Sequence, residues 1–360
     1  MNDSALLQDA ARRVFLDFYD SDRLQSARQQ GWNADLWSAL EETGMSLISV
    51  PEEAGGSGGS VVEAAEVLRL AGKYCASVPL AETALLAGWA LAGVGMDVPR
   101  GPLAFRIIES PGPLQLRRRD NAWRLSGTVK NVPWARHASA LVLIASFGDE
   151  SKVVCAPKSA YRVEPHANLA GEARDGVVFD EATIEDTQIA GATASITADK
   201  ALQRGALARA VQMDGALERV LELTAAYAKQ RVQFGRPIIK FQAVQQELAR
   251  LAGEAAIAKA SAMAAAAAVM SDDRSALAVA YAKVKVGEAA QSGAGIGHQL
   301  HGAIGVTDEY LLHHSTLRLW AWRSEYGSEA YWADRLGAHA MSRGGAAMWE
   351  EITGSAAAAR

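Results

Sequence analysis

The sequence runs to 360 residues, of which 49% are apolar, so there is room for two or three domains with a sizeable core and a disordered chain is excluded. The formal net charge of −5 comes without a basic block, which argues against nucleic acid as the partner, because neutralising phosphates needs clustered Lys and Arg. The two cysteines, Cys75 and Cys155, lie far apart outside any CxxC pattern, so a cytoplasmic setting is expected rather than a disulfide framework.

The opening residues "MNDSALLQDAARR" carry no positive leader followed by an apolar run, and no secretory signal is expected. From Leu6 to about Val94 the pattern is helical: Leu7, Ala10, Val14 and Phe18 recur at three- and four-residue steps, as do Leu36/Leu40 and Val67/Leu70. Gly44 stands where a helix-stop glycine belongs. "SVPEEAGGSGG", Ser49 to Gly59, predicts a break, and Ser60 can cap the helix that follows. A first helical domain is expected over residues 1–97.

From about Pro99 to Ile189 the texture changes to short strands: "LAFRII", "LQLRR", "AWRLSGTV", "LVLIAS", "KVVCA" and "GVVFDEATI". Their spacing predicts a small barrel or sandwich over residues 98–192, with Arg117, Arg118 and Arg119 at a solvated strand end. Beyond Ile196 the chain is helical again and rich in alanine, with long segments at Ala201–Lys229, Phe241–Met270 and Arg274–Leu300. Alanine faces let helices approach closely, so residues 193–360 read as an antiparallel bundle. The run "SAMAAAAAVM" is too short to span a bilayer and reads as a buried helix face; no membrane partner is expected.

Two stretches carry chemistry. In "RVQFGRPIIKFQ", Arg231 is a fixed cation suited to phosphate, Phe234 offers a flat apolar face, and Gln242 offers donor and acceptor together. An ordinary helix–helix corner with an incidental arginine is the competing reading. In "HQLHGAIGVTDEY", Gln299, Gly302 and Gly305 sit where a helix gives way to a loop, with Thr307 as the cap of the next helix. His298 and His301 lack the neighbours of a zinc set and read as packed structural residues, so no metal is expected.

Together these stretches resemble the acyl-CoA dehydrogenase family. Arg231, Phe234, Gly235 and Gln242 match its R-x-x-FG arm and following glutamine, while Gln299, Gly302, Ala303, Gly305 and Glu309 resemble its Q-x-x-GG-x-G loop. "VPEEAGGSGG" looks like its N-terminal loop, and "LSGTVKNVPW" like its middle-domain hairpin with one extra residue before Lys130. The resemblance implies an α+β multidomain fold: an N-terminal all-α domain, a middle β-barrel domain and a C-terminal four-helix bundle. It also implies FAD as cofactor, an acyl-CoA substrate, electron-transfer flavoprotein as acceptor, and a homo- or heterotetramer. In the family a base removes the proton beside the thioester carbonyl while hydride passes to the flavin. Arg231, Gln233, Phe234, Gln242, Gln299 and Gly302 would reach the FAD of a neighbouring chain.

Three departures stand out. The family's acidic-proline and Gly-Ser cradle has no counterpart in "FRIIESPGPLQLR", and its flavin-packing segment is replaced by Val132-Pro133-Trp134, where Trp134 could still stack. The late glutamate aligns with Tyr326, leaving Glu325 one residue early. Glu325 and Tyr326 are therefore the candidate catalytic residues, with a surface glutamate near Arg323 as the plainer reading of Glu325. The alternative base position on the first bundle helix falls near Gly205, which has no carboxylate beside it. Three functions stay open: an acyl-CoA dehydrogenase with a displaced base, a catalytically silent partner subunit that supplies FAD contacts across the interface, and a flavin oxidase or monooxygenase on the same fold.

Overall fold

In the computed structural model, which describes residues 3–108, 112–119, 122–147, 150–269, 275–344, 347 and 349, the N-terminal periodicity becomes helices α1 (Asp3–Asp17), α2 (Ser21–Gln30), α3 (Ala34–Glu42) and α4 (Val61–Lys73). Gly44 takes the left-handed conformation just past α3, at φ 72°. Ser60 caps α4 in a full capping box: its Oγ accepts from the Glu63 amide at 3.2 Å, and its own amide donates to Glu63 Oε2 at 2.7 Å. A π-type helical run, Ala81–Ala87, is buried throughout and flows into α5 (Gly88–Gly93).

The middle region holds two four-stranded sheets. One contains β1 (Leu103–Ile108), β4 (Ala140–Phe147), β5 (Glu150–Pro157) and β8 (Ile189–Gly191), in the order β1-β4-β5-β8. The other runs β2 (Leu114–Arg119), β3 (Ala122–Pro133), β7 (Arg174–Ile184), β6 (Arg162–Glu164). The expected barrel is thus a pair of facing sheets; among the described residues no strand ladder joins them, because β1 pairs only with β4 and keeps a free outer edge. Alternation sorts the first sheet's side chains. Ala104, Ile108, Leu141 and Leu143 meet the second sheet, while Leu103, Phe105, Val142 and Ile144 meet Leu86, Leu91 and Ile196 on the helical side.

Thr197 caps α6 (Ala198–Gln230), the longest helix described. With α7 (Gln242–Ala268), α8 (Ser275–His301) and α9 (Leu312–Trp322) it forms an up-down-up-down bundle, and α10 (Glu329–Arg343) packs on α8. The N-terminal domain joins this bundle through α4 and α6. A Cβ at Gly72 or Gly215 would overlap the backbone of the facing helix, so only glycine permits the approach. Beside that crossing Lys73 pairs with Glu218 (2.7 Å) and Glu222 (2.6 Å), and Arg69 pairs with Glu218.

The alanine run does present a buried helix face, through Ala262, Ala265 and Ala266 of α7. One sequence expectation needs correction. Thr307 does not cap a helix: a 3₁₀ turn (Gly302–Val306) precedes it, its hydroxyl donates back to Ile304 O (3.1 Å), and α9 starts only at Leu312. Among the described residues no helix is long and apolar enough to cross a membrane.

Candidate active site

The candidate residues separate into two groups at opposite ends of α6. At its C-terminal end, Arg231 leaves the helix, and Val232–Gln233 pairs with Arg236–Pro237 in a tight hairpin. Phe234 (φ 52°) and Gly235 (φ 78°) are both left-handed, which is the turn that matches the twist of a two-residue hairpin. Glycine takes this geometry freely, whereas Phe234 takes it against a penalty of about 1 kcal/mol or more, and the residue is 91% exposed. Phe241 steadies that ring edge-on (centroids 6.1 Å apart) and also lies under the Arg236 guanidinium at 4.3 Å. The break between α6 and α7, for which the sequence left an ordinary helix–helix corner as the competing reading, is a tight hairpin with Phe234 exposed at its tip.

Gln299 and Gly302 come to the same end. His301, in the last turn of α8, stacks on Tyr227 of α6 at 4.5 Å, and Tyr310 donates to Leu223 O at 3.4 Å. Gln233, Gln242 and Gln299 are exposed, and Gly302 (φ 67°) has open space where a Cβ would stand. His298 Nε2 is hydrogen-bonded to Thr316 Oγ1 (2.8 Å), and His301 Nδ1 to Gly297 O (2.7 Å), so both histidines are packed into the bundle.

The second group lies near the start of α6, around a cavity of about 910 Å³ between the β-domain and the bundle. Ile107, Ile108, Val129, Pro133 and Leu202 give it apolar walls, and Lys130 and Asn131 are exposed beside it. Glu325 and Tyr326 close one side. From Gly205 to Arg231 the helix rises by about 40 Å, so one chain cannot bring its arm to its own cavity.

Glu325 is not the surface glutamate beside Arg323 that the sequence allowed. Arg323 pairs instead with Glu329 (2.6 Å), and the Glu325 side chain is 18% exposed. Arg174 grips it in bidentate fashion (Nε–Oε1 2.8 Å, Nη2–Oε2 3.1 Å), and Arg209 Nε donates to Oε2 at 2.6 Å. Burial alone would raise its pKa, but the charges of Arg174 and Arg209 outweigh that and hold the carboxyl down at about 2. The pair belongs to a larger buried network. Arg209 also pairs with Glu82, Arg174 with Glu172 (3.1 Å), and Arg318 with Glu172 (3.3 Å), while Trp322 Nε1 donates to Glu172 at 2.9 Å. It ties the N-terminal domain, β7, α6 and α9 together with balanced charge, as buried ions require.

Tyr326 has the left-handed φ of 55°, and its ring lies on Gly205, where any Cβ would overlap it. The Tyr326 ring thus covers the place beside Gly205 where the resemblance put the family's alternative base. Burial, and secondarily the charge of Glu82, pushes the phenol's pKa above its ordinary value. Lys283 holds the loop from beneath, donating to Arg323 O and to Gly327 O (2.8 Å); burial lowers its pKa to about 8. Trp134 is buried rather than on the cavity wall, with Arg174 over its ring at 5.8 Å.

Sequence reasoning missed Glu82, Arg174, Arg209 and Lys283. An arginine set among the apolar residues "GALARAV" was a usable signal, but its partners lie 116 and 127 residues away.

Comparison with known proteins agrees with this architecture. The profile of the acyl-CoA dehydrogenase N-terminal domain matches residues 2–98, and that of the acyl-CoA dehydrogenase C-terminal domain matches residues 196–340. The chain is 30% identical over 292 residues to the acyl-CoA dehydrogenase IpdE2 of Mycobacterium tuberculosis, covering 81% of this chain and 82% of that one. Its fold matches the ChsE4-ChsE5 complex from Mycobacterium tuberculosis with a TM-score of 0.87 at 24% identity, over 96% of this chain and 98% of the other. A variant of the Tcur3481-Tcur3483 steroid ACAD follows at TM-score 0.82 and 26% identity, over 93% and 96%. The identity to IpdE2 across four-fifths of both chains is decisive: this chain belongs to the acyl-CoA dehydrogenase family.

Proposed function

We propose that this chain is a subunit of a heteromeric, FAD-dependent acyl-CoA dehydrogenase, offering its arm to a flavin held mainly by another chain and lacking a base of its own. The observation that carries this reading is the state of Glu325. A carboxylate locked by two arginines and held near pKa 2 is a poor proton acceptor, and its lone pairs already receive three charge-assisted hydrogen bonds. Tyr326, raised rather than lowered in pKa, offers no substitute base.

The arm suits a dinucleotide. Arg231 supplies a cation for a pyrophosphate, Phe234 an exposed ring for flat contact, and Gln242 and Gln299 polar groups, while Gly302 lets a ligand approach the backbone. Bound there, FAD would supply the hydride acceptor for the partner's acyl-CoA. The chain's own work is to bind and orient, with Phe241 and the hairpin turn fixing Phe234 in place. The ChsE4-ChsE5 complex, itself built from two named chains, supports a heteromeric assembly, and electron-transfer flavoprotein is the proposed acceptor.

The test is to purify the chain alone and co-expressed with an acyl-CoA dehydrogenase homologue, then record flavin absorbance and acyl-CoA oxidation. Flavin and turnover should appear only in the co-expressed assembly. Stoichiometric FAD and turnover in the lone chain would overturn the reading.

A further inference from the structure

The two sheets enclose an apolar core, and β1 turns Ala104 and Ile108 into it. By the same alternation Arg106 points the same way. An arginine on the inward face of a strand breaks the pattern of that strand, and burying a cation without a counter-ion is unfavourable. Arg106 nevertheless has no ion pair or hydrogen bond among the described residues, and its Nε is fully buried without a partner. It lines the cavity beside β1, together with Tyr326, whose hydroxyl likewise has no hydrogen-bond partner among the described residues. Both side chains thus border the same space, one from β1 and the other from the loop before α10.

We infer that this cavity is an anion-binding pocket that takes the carboxylate of an apolar organic acid on Arg106 and the Tyr326 hydroxyl. Three features support this. Among the described residues Glu325 is the acidic residue on the wall, and its charge is already spent on Arg174 and Arg209, so the unpaired charges described on the cavity wall, Arg106 and Lys130, are positive. The walls beside Arg106 are apolar, through Ile107, Ile108, Val129 and Leu202, which suits a hydrocarbon body better than inorganic phosphate. Finally, Tyr326 is held in a strained backbone conformation over a glycine that nothing larger could replace, and burial keeps its phenol protonated as a donor. Such an arrangement binds an acid without deprotonating a substrate.

This inference goes beyond the partner-subunit reading and stands apart from it, since no residue of the arm takes part. The test titrates the full-length chain, in its purified assembly, with cyclohexanecarboxylate by calorimetry and saturation-transfer NMR. Cyclohexanecarboxamide, inorganic phosphate and pyrophosphate are run in parallel. The carboxylate should bind on the order of tenfold or more tighter than the amide, and R106Q should weaken it by roughly 10–100-fold, the worth of a charged hydrogen bond. Y326F should weaken it several-fold, and R106K should recover part of the loss; melting curves confirm that each variant is folded. Equal binding of acid and amide, an unchanged R106Q, no binding at all, or a preference for phosphate or pyrophosphate would each overturn it. So would loss of flavin from the co-expressed assembly on R106Q, because the cavity would then belong to a flavin site. Failure of the partner-subunit reading would show differently, as flavin and turnover in the lone chain.

Discussion

The two ends of α6 are built on opposite principles. At the C-terminal end the functional side chains are exposed: Phe234 is 91% exposed, and Arg231, Gln242 and Gln299 stand in solvent. Near the start of the helix Arg209, Glu82 and Glu172 are at most 2% exposed, Arg209 pairing with Glu82 and Glu172 with Arg174 and Arg318. The first end leaves its side chains open to solvent, which on the proposed function meet a flavin held by another chain, while the second holds three parts of the chain together. On the proposed function, contact across an interface and proton abstraction are divided between chains, this one offering the arm and holding Glu325 as an ion between two arginines.

The largest effect that would sharpen this contrast is on stability. Replacing Arg209 with methionine leaves Glu82 and Glu325 buried without their shared partner, and urea unfolding should show a loss of about 3–5 kcal/mol. Arg231→Ala, at the exposed end, should leave the urea midpoint unchanged. What Arg231→Ala and Phe234→Ala should lower is the FAD affinity of the co-expressed assembly, by roughly 10–100-fold, read as flavin absorbance per chain after dialysis. If flavin retention were unchanged in both, the arm would be an ordinary corner and the contrast would collapse.

Asp214 lies between the two ends, beside the α4–α6 crossing, and gives a control that touches neither. Burial raises its carboxyl from 3.8 to about 7, against an opposing pull from Arg69, and its Oδ2 has no partner. A raised carboxyl pKa means the folded state holds its proton longer than the unfolded one, so the penalty grows as pH rises from about 4 to 7. Asp214→Asn should therefore stabilise the protein by up to about 4 kcal/mol at pH 8, with the gain shrinking toward nothing near pH 4. A pH-independent difference between the two proteins would refute that account.

The smallest expected effect is also the most pointed. Glu325→Gln should leave turnover of the assembly within about twofold, because a general base is worth roughly 10²–10⁴ and on the proposed function Glu325 does not act as one. Its influence should appear in acid instead. With the folded pKa at about 2 against an ordinary 4.5, its stabilisation is complete above 4.5 and is lost as pH falls through 2. The native chain should shed stability across that window more steeply than E325Q, as followed by melting temperature. A thousandfold fall in turnover would restore Glu325 to catalysis.

Much of this was legible before any coordinates. The strand segments read from β-branched and aromatic runs fall on β1 through β5 and β7, and the long alanine-rich segments on α6, α7 and α8, because both patterns are local. Ser60 as a cap and Gly44 as a stop were equally local, and both stand. Thr307 misled because a cap residue followed by acidic residues also suits a turn.

What the sequence alone determined is the order of helices, strands and bundle, and the arm of Arg231, Phe234 and Gln242, whose members lie within a dozen residues. What only the tertiary structure decided is the fate of Glu325. Counting residues could show it one place early, but not that Arg174 and Arg209, 151 and 116 residues away, would close on it. Nor could it show that the Tyr326 ring would lie on Gly205. Local patterns follow from propensity and periodicity along the chain, whereas a pKa depends on which charges folding brings within a few ångströms.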